Sequence, residues 1–547
     1  MKIVFRFFFC GLVLMSANLL KAQNSSPKIV VGLVVDQMRW DYLYKYKDRY
    51  SKDGFNRLLS KGFSCENTII THLPTYTAVG HAGVYTGSIP AFHGIVGNNW
   101  YDKQSGKMVY CAGDSLAKTI GSTSDAGKMS PANMQTTTIT DELKLSNNFQ
   151  SKVIGISLKD RGAILPAGHT ANAAYWFDDA IGGWISSSYY MNALPQWVQE
   201  FNNQRQPDKY MSEPWNTLYP LDTYKRSTQD NKSYEGKIHT ADSNVFPHRL
   251  DLIKDNKYDA FRHTPFGNTY TLNFAKEAIK SESLGKGKAT DFLAVSLSSP
   301  DYIGHTFGPD AVEIEDTYLR LDHDIARFLR FLDETFGKKQ YLVFLTADHG
   351  VAHNVRYMDE HNIPSGNFRT KELQKEINDS VLSRYNFKNA LVKVENAQMY
   401  LNKQLMNDSL NLSTEVEQFI IGMLSQKSFI SKAYGLKNIY QYNVPDPLKT
   451  MSENSFHNKR SGDIQMVFNP GYMEGSGKGS THGNWSPYDA RIPLVWFGWG
   501  IKNGLLNREV HMTDIAPTLA ALLHIQMPNG CVGKVIEEVI PHQRLRR

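Results

Sequence analysis

Five short apolar runs punctuate the chain: Ile29–Val35, Val153–Ser157, Phe292–Leu297, Tyr341–Leu345 and Pro493–Phe497. Each has few charges and several residues of Val, Ile, Leu or Phe. Runs of this kind suit strands buried on both faces, as in a parallel sheet. Between them the period changes. Over Ile314–Phe336, the residues Tyr318, Leu321, Ile325, Phe328 and Leu332 recur at spacings of three and four with charges between them. That spacing predicts an amphipathic helix. Strands alternating with helices predict an α/β fold, with a mostly parallel central sheet and helices on both faces. Two stretches break the rhythm. Residues 170–285 are rich in Tyr, Trp, Asn and Pro with weak periodicity, and residues 365–475 are more charged. Both read as insertions capping the site of a single catalytic domain over residues 23–547.

The N-terminus bears on the compartment. Lys2 and Arg6 precede an apolar run from Phe7 to Met15, and small and polar residues then lead to Lys21-Ala22-Gln23. This is the layout of a secretory signal peptide over residues 1–22, with cleavage after Ala22. The run is too short for a membrane anchor, which takes about 20 apolar residues. A periplasmic or secreted protein without a membrane span is expected. Losing the three bases of this segment takes the formal charge from +6 to +3. So small a balance gives no reason to expect nucleic acid as the main partner. The remaining cysteines are Cys65, Cys111 and Cys531, with no C-x-x-C spacing, so thiolate zinc sites are not expected. One disulfide among them is left open. Nothing in the chain asks for a partner subunit, and a monomer is expected.

The polar residues that end the apolar runs carry the chemistry. Val31–Val35 runs into Asp36, and Val153–Ser157 into Leu158-Lys159-Asp160-Arg161. Phe292–Leu297 leads to Asp301 and His305, and Tyr341–Leu345 to Asp348-His349-Gly350. In open α/β sheets, ligands bind beyond the carboxyl ends of the strands, so these groups converge on one site. Asp and His together are oxygen and imidazole donors for Zn²⁺. Asp301 and His305, four apart, can face one ion from a helical turn. Asp348 and His349, adjacent, can fold around a second, and the late His482 can complete a ligand set. Taken singly, each residue has an ordinary explanation: a lone His in the core, or an Asp capping the next helix. Their joint pattern is what points to a metal site. Pro74-Thr75-Tyr76-Thr77 precedes another helical segment. A Thr77 hydroxyl there would sit where backbone N–H groups and the helix dipole attract phosphate. Capping alone would also explain a Thr at that place, but not the metal-like residues elsewhere.

Together these residues resemble the alkaline phosphatase superfamily, and most closely its phosphate-irrepressible, PafA-type bacterial members. The resemblance runs from about Lys28 to the C-terminus through VVGLVVDQMRWDYL, PTYTAVGH, GIVGNNWYD, SLKDR, DYIGHTFGP, TADHG, KRSGDIQ and THGNW. It implies two zinc ions, one held by Asp301, His305 and His482, the other by Asp36, Asp348 and His349, with Thr77 bound as the nucleophile. It also implies that Asn98, Lys159 and Arg161 contact the phosphoryl oxygens of small phosphate monoesters, which are hydrolysed through a phosphothreonine. A phosphodiesterase or nucleotide pyrophosphatase of the same superfamily is the alternative. A diester carries one charge fewer, and the cations Lys159 and Arg161 suit a dianionic monoester better. A sulfatase would need a Cys- or Ser-based Pro-Arg motif at the Thr77 segment, which is absent. A non-catalytic zinc- or phosphate-binding protein would have no use for the nucleophile.

Overall fold

The computed structural model describes residues 26–541 apart from 240–242, 403, 405–409 and 476. The signal segment over residues 1–22 lies outside the described residues. An eleven-stranded sheet forms the centre. Its order is Arg491–Ile492, Phe63–Ile69, Leu494–Gly498, Tyr341–Thr346, Ile29–Val35, Asp291–Leu297, Val153–Ser157, Ala173–Asp178, Gly183–Ser187 and Thr119–Ile120. The remaining strand, Gly504–His511, pairs with Phe63–Ile69.

The five strands from Tyr341–Thr346 to Ala173–Asp178 in that order are parallel. Val31 stands opposite Val343 on one side and Leu293 on the other. Every residue of Ile29–Val35, Val153–Ser157, Asp291–Leu297 and Tyr341–Thr346 is buried. Cover on both faces is why these runs read as continuous apolar blocks, without alternation. The fifth run behaves differently. It forms Leu494–Gly498 and lies antiparallel to Tyr341–Thr346. Apolar character reports burial, which is the same for either direction of the chain.

The predicted long helix spans Val312–Phe336 and buries Tyr318, Leu321, Ile325, Phe328 and Leu332. The first irregular stretch begins inside the sheet, since Ala173–Asp178 and Gly183–Ser187 are two of its strands. It ends on the Phe266–Ser281 helix, which packs on Asp291–Leu297 and Val312–Phe336. Its weak periodicity has a physical source. Large aromatic rings fill the layer, with Trp184 stacked on both Tyr270 and Phe274. The second stretch builds its own four-stranded sheet from Leu391–Glu395, Gln398–Leu401, Ile464–Phe468 and Ile430–Gly435. The helices Thr370–Tyr385 and Leu410–Leu424 belong with that sheet, and Leu373, Ile377, Val381, Val416 and Ile420 form its separate core.

Cys65, Cys111 and Cys531 are all free, so the disulfide left open by the sequence is not formed. Cys65 and Cys111 are buried in two different hydrophobic clusters. No helix among the described residues is long and apolar enough to cross a membrane.

Candidate active site

Four neighbouring parallel strands deliver the site. Asp36 directly follows Ile29–Val35, and Lys159 follows Val153–Ser157 by two residues. Asp301 lies in the helix Ser299–Phe307 after Asp291–Leu297, and Asp348-His349 follow Tyr341–Thr346. Two groups of metal-ligand type result: Asp301, His305 and His482, and Asp36, Asp348 and His349. In each group the candidate ligand atoms lie within 4.8 Å of one another. Asp301 and His305 come from one helical turn, with His305 Nε2 3.2 Å from Asp301 Oδ1. His482 arrives on a loop, its Nε2 3.5 Å from the same oxygen. The groups adjoin, because the rings of His349 and His482 stack with centroids 3.5 Å apart.

All three imidazoles are oriented alike. His305 Nδ1 faces the Ser480 carbonyl at 2.8 Å, His482 Nδ1 the Thr75 carbonyl at 2.7 Å and His349 Nδ1 the Gly350 carbonyl at 3.0 Å. A carbonyl only accepts, so each Nδ1 carries the proton and each Nε2 keeps its lone pair for a ligand.

Two buried carboxylate oxygens of these groups are left over. Asp36 Oδ1 and Asp348 Oδ2 are buried without a hydrogen-bond partner, and both residues are 0% exposed. Burial, then the neighbouring Asp348, pushes the Asp36 carboxyl well above the usual range. Burial acts on Asp348 in the same sense, but His349 and His81 outweigh it and hold that carboxyl below its usual value. Burial drives His349 down to about 3 and lowers His482 as well. Burial also opposes charge on His305, but Asp301 outweighs it and raises that imidazole. Imidazoles beside unpartnered carboxylate oxygens form a donor set suited to zinc.

Thr77 opens the helix Thr77–Thr86, every residue of which is buried. Its Oγ1 lies 3.4 Å from His349 Nε2. Gly80 allows that helix to sit directly on the Asp348 loop, since a Cβ there would collide with the Asp348 carbonyl. Asn98 Oδ1 accepts from the Ala78 N–H at 3.0 Å, which leaves the Asn98 NH₂ as a donor. Lys159 Nζ reaches into both groups, donating to Asp36 Oδ2 at 2.6 Å and Asp301 Oδ2 at 2.5 Å. Burial opposes its charge, yet Asp301 and Asp36 hold it protonated well above the usual lysine range. Arg161 donates from Nη1 to the Tyr110 hydroxyl at 3.2 Å, while its Nε is buried without a partner.

Three supporting residues escaped the sequence reading. Gln37 donates from its backbone N–H to Asp348 Oδ1 at 3.1 Å and from Nε2 to Asp301 Oδ1 at 2.7 Å. It thereby ties the two groups together, and it does so from a left-handed backbone with φ 65°. His81 Nδ1 lies 2.8 Å from the Thr77 carbonyl, to which it donates, and 3.3 Å from Asp348 Oδ2, while Nε2 is 2.9 Å from Ser296 Oγ. Its place four residues after Thr77, on the same helix face, was the available signal. Tyr110 bridges Asp160 and Arg161, and nothing in the sequence places it there.

Comparison with known proteins identifies the family. The model of the type I phosphodiesterase / nucleotide pyrophosphatase family matches residues 30–489. Alkaline phosphatase PafA of Elizabethkingia meningoseptica is 46% identical over 536 residues, covering 96% of this chain and 98% of the relative. Alkaline phosphatase PhoV of Synechococcus elongatus is 46% identical over 94% of this chain and 93% of its own. A relative from Myroides odoratus that bears the name calcium-transporting ATPase is 48% identical, covering 97% of each chain. The crystal structure of wild-type PafA superposes with a TM-score of 0.92, covering 94% of this chain and 99% of that one. The fold is that of an α/β hydrolytic enzyme, and the chain belongs to the alkaline phosphatase superfamily. Within that superfamily it is of the PafA type.

Proposed function

We propose that the protein hydrolyses phosphate monoesters through a phosphothreonine on Thr77, at a centre of two zinc ions. Asp301, His305 and His482 would hold one ion, and Asp36, Asp348 and His349 the other. The phosphomonoesterase activity rests on near-full-length identity to PafA and PhoV. The observation that carries the mechanism is the Thr77 hydroxyl at a buried helix N-terminus, 3.4 Å from His349. Bound divalent ions supply Lewis acidity that activates a hydroxyl or water and neutralises a departing oxygen.

The protein's own groups do the rest. Thr77 Oγ1 attacks phosphorus in line with the ester oxygen, so one P–O bond forms as the other breaks and the alcohol leaves. Water then attacks the phosphothreonine, restoring the Thr77 hydroxyl and releasing inorganic phosphate. The first turn of the helix directs N–H groups at the phosphoryl oxygens. Asn98 and Arg161 add a neutral and a charged donor. Lys159 compensates the carboxylates and supplies a second cation at the same place. Burial of these groups strengthens each interaction, and they are already in place before the reaction begins.

The family's diesterase name favours a second reading, in which a diester is the substrate. The two cations Lys159 and Arg161 suit a dianion better, so the monoester is preferred. Export by the signal segment over residues 1–22, a monomeric state, and a capping role for residues 365–475 complete the proposal.

The decisive test is a chromogenic monoester assay with acid trapping of labelled substrate. Thr77→Ala is expected to lose nearly all turnover while keeping zinc, and Thr77→Ser to keep a substantial fraction. Label on any residue but Thr77, or a near-wild-type Thr77→Ala, overturns the mechanism.

A further inference from the structure

A cavity of about 440 Å³ lies between the 365–475 sheet and the loop that carries His482. Tyr76, the residue before the nucleophile, and His482, a member of the first ligand group, are both part of its wall. The two rings meet edge to face with centroids 5.4 Å apart. The cavity and the reacting centre therefore share a boundary. In-line displacement fixes which side the alcohol leaves on. Thr77 approaches from beside His349, so the ester oxygen departs on the side of Asp301, His305 and His482. The cavity begins on that side.

Its walls carry three carboxyl groups and two lysines. Glu395, Glu474 and Asp489 contribute carboxylates, against Lys371 and Lys393. Lys393 Nζ is 3.5 Å from Glu395 Oε2, which compensates one carboxylate. Lys371 is exposed at the rim, free to swing into solvent. Asp489 is the telling group. Its Oδ2 accepts from the Asn484 N–H at 2.9 Å, whereas its Oδ1 is buried without a partner and the residue is 1% exposed. Burial pushes the Asp489 carboxyl up to about 8, and the Asn484 N–H and the Arg39 charge offset that only in part. Tyr76 lines the same cavity as Glu395, Glu474 and Asp489, and burial, then these carboxyl groups, raises its hydroxyl. Carboxylates beside aromatic faces are the surroundings a cationic amine prefers.

We propose that this cavity receives the leaving group and selects phosphate monoesters of amino alcohols, with the ammonium directed at Asp489 and Glu474. The proposal deepens the phosphomonoesterase reading and rests on it. It also accounts for residues 365–475. The reacting centre handles the phosphoryl group that all monoesters share, and the cap reads the group that differs.

The test compares kcat/KM for 2-aminoethyl phosphate with that for 2-hydroxyethyl phosphate, at a pH where the amine is cationic. The wild-type ratio is expected to favour the amine at least about fivefold, the effect of one carboxylate acting through a partly solvated site. Glu474→Gln and Asp489→Asn are each expected to bring that ratio toward one. Glu474 lies at the exposed rim, so its substitution tests the idea even if Asp489→Asn fails to fold. Equal wild-type constants for the two esters, or a ratio that Glu474→Gln leaves unmoved, overturns the cavity's role alone. No hydrolysis of either ester or of p-nitrophenyl phosphate overturns the phosphomonoesterase reading and the cavity's role together.

Discussion

Replacing Gln37 by Ala is expected to weaken one metal position and spare the other. The side-chain amide donates to Asp301 Oδ1 at 2.7 Å, whereas the bond to Asp348 Oδ1 comes from the backbone and survives the substitution. Gln37 is 2% exposed, so solvent does not replace the lost donor easily. A hydrogen bond to a charged group is worth about 1.5–3 kcal/mol. At roughly 1.4 kcal/mol per tenfold, zinc affinity at Asp301, His305 and His482 should fall by about 10- to 150-fold. That is the range typical of losing an outer partner of a metal ligand. Affinity at Asp36, Asp348 and His349 should stay within about threefold, since the backbone bond persists. Gln37→Gly would separate the side chain from the backbone, because glycine adopts φ 65° without cost and should lose the same position while folding at least as well. The assay is zinc content per chain across a chelator series, with thermal unfolding in parallel. Equal weakening of both positions, or two ions titrating as in wild type, would refute the reasoning.

Two further outcomes are expected. The double substitution Lys159→Ala/Arg161→Ala should cost an aryl monoester about 100-fold or more in kcat/KM, two charged hydrogen bonds being lost, and a matched diester much less. Equal proportional losses would reopen the diesterase reading. Glu235, 1% exposed, is raised to about 9 by burial and by Glu313, so the folded state keeps its proton through neutral pH. Its contribution to stability is therefore full below pH 4.5, the ordinary glutamate value, and is lost as pH rises from there through about 9. Glu235→Gln should remove up to ~1.4 kcal/mol per pH unit of that slope and raise the unfolding temperature at pH 8. An unchanged pH dependence of unfolding would count against it.

The residues differ in how far local pattern could reveal them. Asp36, Lys159 and Asp348 were legible because a strand buried on both faces tolerates charge only at its ends, and that break is visible in the chain. Asp301 and His305 were legible through helical spacing. His482 was legible only as a late His that could complete a ligand set, because it lies in a loop with no periodic neighbour, and the family likeness assigned it to Asp301 and His305. Gln37 gave no sign, since left-handed backbone is signalled by Gly or Asn and seldom by Gln. Tyr110 meets Arg161 across 51 residues, a pairing made by tertiary packing alone. Lys159 was legible as a cation of the site, but its place between the carboxylates of Asp36 and Asp301 was not. A charge so deeply buried turns to the nearest opposite charge, and residue type cannot say which that is. The direction of Leu494–Gly498 stayed hidden because burial does not encode it. Aromatic layering likewise masked the strands at 173–187.

The ligand groups draw on residues from Asp36 to His482, so the site spans most of the chain. A nascent or clipped polypeptide that stops before residue 482 lacks a member of the first group and three strands of the central sheet. The growing chain is thus inert until its last third has been made and docked. Contacts so distant along the chain are among the slowest to form. Turnover is therefore a proofreading signal for the whole fold: in a screen of variants, activity will report which molecules have completed assembly before it reports anything about chemistry.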